Sequence, residues 1–142
     1  MQLNCKSKST ISNIILKTNR YNNIMSIEKI SKNIKLTTAR RAILELLQDY
    51  NKPLCYEDIK DDLSMDKATF YRNIIKFEEE DIINSFESND KKRYYEIKNK
   101  KHSHFICNIC SKIECIHEKL DINLPKYEID NIIIKGICPN CL

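Results

Sequence analysis

Two Cys-x-x-Cys pairs, Cys107–Cys110 and Cys138–Cys141, constrain this 142-residue chain more than any other feature. Each pair is a knuckle that turns two thiols toward one point at little backbone cost. Two knuckles supply four sulfurs, the tetrahedral donor set that suits zinc. Between Cys110 and Cys138 lie 27 residues. That is longer than an ordinary zinc ribbon, so a small sheet must return the chain. The stretch DNIIIKGICPNC reads as that return, a β-branched run followed by Gly136 and Pro139 to shape the turn. The chain has seven cysteines. Their grouping in x-x pairs, and the lack of a secretory pattern at the N-terminus, favour metal ligands over disulfides. No apolar run reaches the roughly 18–20 residues of a membrane span. The expectation is a soluble, cytoplasmic protein with no membrane partner.

Just ahead of the first knuckle stand two of the three histidines, in HSHFIC. In a strand, residues i and i+2 share a face. His102 and His104 therefore point one way, and Phe105 and Cys107 the other. The imidazoles call for a second ion. Glu96, eight residues before His104, is a candidate third ligand, and Cys115 or Glu114 a fourth. Such a mixed donor set is labile and suits sensing. The competing reading makes the histidines surface residues, as His117 is expected to be.

Upstream, Thr37 is a good N-cap. Ala39, Ala42, Ile43, Leu46 and Leu47 repeat with helical spacing up to a stop at Pro53. A second helix follows in YEDIKDDL, with Tyr56, Ile59 and Leu63 on one face. After a tight connection capped by Asp66 comes a third, KATFYRNIIKFEEE. There Phe70, Ile74 and Phe77 form the core face. Thr69, Arg72, Asn73 and Lys76 form the outer face, with Tyr71 at its border. The period then changes to that of two strands, Ile82–Phe86 and Arg93–Ile97, joined by the polar turn SNDKK. Three helices and a hairpin describe a winged helix-turn-helix. The third helix offers donors for phosphates and base edges, and the hairpin turn offers Lys91, Lys92 and Arg93. The bland alternative is an ordinary amphipathic core helix.

The net charge is +4. Lys6, Lys8, Lys17 and Arg20 account for all of it, since residues 1–25 hold no acid and the rest of the chain balances. That leading segment is expected to be a disordered or loosely helical basic tail, with Met25 the more natural start. Residues 26–98 are expected to form the winged-helix domain and 99–142 a metal-binding, dimerising domain. The fold class is α+β, a winged helix-turn-helix followed by a small, mostly β, zinc-stapled α/β domain.

The succession LTTARRAIL, YEDI, KATFYRNI, RYYEI, HSHFICNICSKIE and GICPNC resembles the ferric-uptake-regulator family of metal-sensing repressors, from about Ile27 to the C-terminus. The resemblance implies a homodimer on a double-stranded DNA operator. It implies structural zinc on Cys107, Cys110, Cys138 and Cys141. It also implies a regulatory metal, Zn2+ or Fe2+, at the interdomain hinge, on ligands matching Glu96, His102 and His104. Tyr71 and Arg72 match the family's DNA-contacting pair, and Arg40 the basic position of its T-x-x-R motif. Such a protein is a regulator, not an enzyme.

The chain also departs from the family pattern. Where a histidine often precedes the second helix the chain reads NKPLC, so a ligand is missing unless Cys55 substitutes. Cys115 stands where a carboxylate is usual, with Glu114 one residue earlier. A thiolate there favours zinc over iron or manganese. Asp81 occupies a usual glycine position. HEKLDINLPKYEID, with Pro125, is too short for the family's long helix, so a shortened or absent helix is expected. Rival readings are a rubredoxin-like iron electron carrier and a zinc-stapled adaptor that binds no DNA. Ser111 and Leu142 follow the knuckles where rubredoxin-type sites usually have glycine.

Overall fold

The computed structural model describes residues 27–50, 52–98 and 103–142. The basic tail and His102 lie outside the described residues. A helical turn at 27–30 buries Ile27 and leads into α1, Thr38–Tyr50. The Thr37 hydroxyl accepts the Arg40 backbone N–H at 3.3 Å, the expected cap. α1 buries Ile43, Leu44 and Leu47. The second helix is split into α2, Tyr56–Ile59, and a tighter turn, Lys60–Asp62. α3, Lys67–Glu79, begins where the Asp66 carboxylate accepts the Thr69 N–H at 2.7 Å.

Asp81 takes φ 57°, the left-handed conformation expected at this glycine-like position, and turns the chain into the wing. The wing pairs β1, Ile83–Glu87, with β2, Arg93–Ile97, in register Ile83↔Ile97 to Glu87↔Arg93. β1 thus starts one residue later than its hydrophobic pattern implies. Leu54 joins the hairpin through paired hydrogen bonds with Tyr95, at 3.0 and 2.9 Å. Phe70, Phe77 and Tyr95 anchor the common core and are almost wholly buried. Burying each contributes roughly 1.5–3 kcal/mol.

The C-terminal sheet has the order β4-β3-β5. Its central strand β3, Ser103–Cys107, runs antiparallel to β4, Ile113–Ile116, and parallel to β5, Ile133–Gly136. Residues 117–132 contain neither helix nor strand, so the shortened helix expected there is absent altogether. A turn closes around Pro125, with the Tyr127 N–H donating to the Leu124 carbonyl at 3.0 Å. The segment arches over Ser103 and Ile116 and leaves a cavity of about 310 Å³. Gly136 serves packing rather than turn geometry. Its φ is not positive, and a Cβ there would meet the Phe105 ring at 3.1 Å. Among the described residues, no helix is long and apolar enough to cross a membrane.

Candidate metal centres and nucleic-acid face

β3 delivers Cys107 at its end, the following turn delivers Cys110, and β5 leads directly into Cys138 and Cys141. The four sulfur atoms all lie within 4.8 Å of one another. Cys110 Sγ and Cys138 Sγ are 3.8 Å apart. Sulfurs about 2.3 Å from a shared tetrahedral zinc stand about 3.8 Å apart, so the cage fits that ion. Backbone N–H groups of Cys110 and Cys138 aim at Cys107 and lower its pKa to about 6. The Cys138 N–H reaches the Cys107 sulfur at 3.4 Å. Cys141, sharing protons with Cys138 and Cys110, is pushed up to about 12. The cage therefore favours the thiolate at Cys107, whereas Cys141 would give up its proton to a bound cation. Ser111, closing the first knuckle, sits at φ 57°. Serine thus adopts the backbone conformation that glycine would supply, and its identity does not argue against a knuckle of rubredoxin geometry.

The second constellation lies where the wing meets the C-terminal sheet. Glu96 on β2 and His104 on β3 are both buried, and His104 Nε2 lies 3.1 Å from Glu96 Oε2. The Phe86 ring stacks on the imidazole with centroids 5.2 Å apart. Cys115 is the cross-strand partner of His104 and so shares its face. Burial and the Glu96 charge both push the Cys115 thiol up. Glu114 is opposite Phe105 on the other face and is ion-paired with Lys112, so it does not belong with His104. Of the two candidates, register places Cys115 and not Glu114 on the face of His104. Among the described residues, only the four-cysteine cage brings three or more ligating atoms within 4.8 Å, and Cys115 does not join Glu96 and His104 within that span. Cys55 is buried and flanks α2, and burial with a hydrogen bond to Asp58 pushes its thiol up. His117 is exposed at the rim of the cavity.

On α3 the outer face differs from its expected composition. Arg72 is exposed and makes no ion pair or hydrogen bond with a described residue. Tyr71 is exposed beside it, packed edge-on against Phe70 and near Tyr56. Asn73 is turned inward and buried, not outward with Arg72. It accepts from Arg40 Nε at 3.1 Å and donates to the Thr69 carbonyl at 2.8 Å. The Thr69 hydroxyl is taken up by the Asp66 cap. Lys76 is held by Glu80 at 2.8 Å and Glu79 at 3.4 Å. In the wing turn, Lys91 lies 3.7 Å from Glu87 and Lys92 3.9 Å from Asp90. Arg93 is committed to Glu78 and Ser85. Two outer-face residues were not read from the sequence. Lys67 lies over the Tyr56 and Tyr71 rings, and Ile75 is 56% exposed one turn beyond Tyr71. Position supplied the signal, since Lys67, Tyr71 and Ile75 fall at i, i+4 and i+8.

The family model for the ferric uptake regulator family matches residues 31–131. No curated protein sequence matches the chain. Among solved structures, the ferric uptake regulator of Francisella tularensis with iron is 23% identical, with 77% of this chain and 95% of that one covered and a TM-score of 0.56. That of Helicobacter pylori, described as having three functional metal-binding sites, is 22% identical, with coverage of 89% and 93% and a TM-score of 0.58. That of Pseudomonas aeruginosa with manganese is 16% identical, with coverage of 82% and 97% and a TM-score of 0.61. At these identities the likeness speaks for the fold, while the family model spans most of the chain. The chain belongs to the ferric uptake regulator family, and is therefore a metal-responsive, DNA-binding transcription regulator and not an enzyme.

Proposed function

We propose that the chain is a metal-dependent repressor that binds a double-stranded DNA operator as a homodimer. Its structural zinc would sit on Cys107, Cys110, Cys138 and Cys141. Its regulatory ion, zinc or ferrous iron, would sit on Glu96, His104 and Cys115, with His102 as a further ligand. The observation that carries this reading is the buried Glu96–His104 contact at 3.1 Å, which joins the wing hairpin to the C-terminal sheet. Ligands drawn from both units let an ion favour one relative placement over others, which is what a population shift requires. A sulfur ligand at Cys115 makes zinc the favoured ion. On the DNA side, Arg72 and Tyr71 would read the operator, and Arg40, Lys91 and Lys92 would meet phosphates. The salt-paired wing lysines would exchange their carboxylates for phosphate.

The test compares zinc, ferrous iron and manganese for their effect on DNA binding by the full chain, on a duplex recovered by the chain from a randomised pool. Cobalt substitution reports the ligands. Sulfur-to-cobalt charge transfer from a second equivalent of cobalt should vanish in Cys115→Ser. Arg72→Ala should abolish selective binding at every metal level. A protein that is red with iron in the cysteine cage and indifferent to DNA would instead be an electron carrier. A zinc-loaded protein whose activities all survive Arg72→Ala would be an adaptor.

A further inference from the structure

Asn73 is the only polar residue among those α3 buries. The orientation of its amide is unambiguous. Nδ2 faces the Thr69 carbonyl, which can only accept, and Oδ1 faces Arg40 Nε, which can only donate. The amide is thus anchored to the backbone of its own helix one turn back, and it presents its oxygen to α1. Arg40 is held a second time, by donation from Nη1 to the Lys35 carbonyl at 2.7 Å. Two of the five guanidinium donors are fixed in this way, and three remain for an outside acceptor. Arg40 is itself half-buried at the start of α1.

We propose that Asn73 is a positioning residue that touches no DNA. It clamps the Arg40 guanidinium to the backbone of α3, so that a phosphate-binding arginine on α1 and the reading side chains of Arg72 and Tyr71 meet the duplex in one fixed register. A free arginine must be ordered on binding, and a clamped one is ordered beforehand. The clamp needs the planar fork of arginine, because lysine has no Nε–H to give Asn73. The proposal rests on the DNA-binding role of α3.

The experiment measures binding of the full, zinc-loaded chain to the duplex selected by the wild type, across a salt series. Arg40→Ala should weaken binding and lower the salt slope by about 1, the mark of one lost phosphate contact. Asn73→Ala should weaken binding roughly tenfold, on the scale of one charge-assisted hydrogen bond. Arg40→Lys should cost the same although the charge is kept, and the double variant should be no weaker than either single one. Arg40→Lys leaves α3 untouched, so it reads the clamp even if Asn73→Ala loses its fold. If Arg40→Ala weakens binding while Asn73→Ala or Arg40→Lys binds like the wild type, the clamp is refuted and the DNA reading stands. Additive losses in the double variant refute it equally. If neither Arg40→Ala nor Arg72→Ala changes binding, the DNA reading itself fails and takes the clamp with it.

Discussion

Glu96→Gln separates a ligand from a bystander at the proposed hinge site. Gln keeps the shape of Glu and can still hydrogen-bond His104 Nε2, so the Glu96–His104–Phe86 packing survives. What is lost is the charge. Removing a partner one shell out from a metal typically weakens the site about 10–100-fold, so removing a ligand's charge should reach at least the upper figure. At an ion concentration about 1,000 times its dissociation constant, binding stabilises the fold by about 4.1 kcal/mol. A hundredfold loss leaves the same solution at about ten times the constant, where stabilisation is about 1.4 kcal/mol. The difference of about 2.7 kcal/mol corresponds to roughly 10 °C in Tm for a chain of this size. The assay is thermal unfolding with and without buffered excess zinc, starting from protein that already carries one zinc per chain. The metal-dependent shift should shrink by about that amount in Glu96→Gln, while zinc stoichiometry on the cysteine cage stays the same. An undiminished shift would refute Glu96 as a ligand. Loss of the tightly bound zinc along with the shift would show that the two centres are not separate.

Two further outcomes are expected. Ser111→Gly should raise stability by about 1 kcal/mol in denaturant unfolding of the zinc-loaded chain, because it relieves a left-handed residue without touching a ligand. Tyr95, pushed up to about 12 by burial, keeps its proton in the fold after the unfolded chain has lost it. The stability this group contributes is fully present below pH 10 and is lost as pH rises toward 12. Tyr95→Phe should therefore flatten alkaline unfolding in that window, and an unchanged pH profile would rule the group out.

Much of this molecule is legible in its sequence because the deciding residues act locally. Asp66 caps α3 from three residues away, and the knuckles turn their own thiols inward. What the sequence misplaced, at Asn73, or left open, between Cys115 and Glu114, involves partners distant in sequence. Asn73 lies three residues after Phe70 and four before Phe77, so helical spacing alone places it near the core side. Its polarity suggested the opposite, and the missing information was Arg40, 33 residues earlier. The choice of Cys115 over Glu114 depends on the pairing of His104 with Cys115, and strand register is not written in spacing alone. The irregular 117–132 segment follows from Pro125 and the short polar run around it, which cannot sustain a long helix.

β3 mounts both centres on one strand, with His104 on one face and Cys107 three residues on, about 10 Å along, on the other. Sliding that strand by a single residue against β4 and β5 would turn the imidazole away from Glu96 and lift the thiol out of its cage together. Under the proposed function, the cysteine cage would therefore also calibrate the sensor: whatever unseats it would blind the hinge, even with every proposed hinge ligand still in the chain.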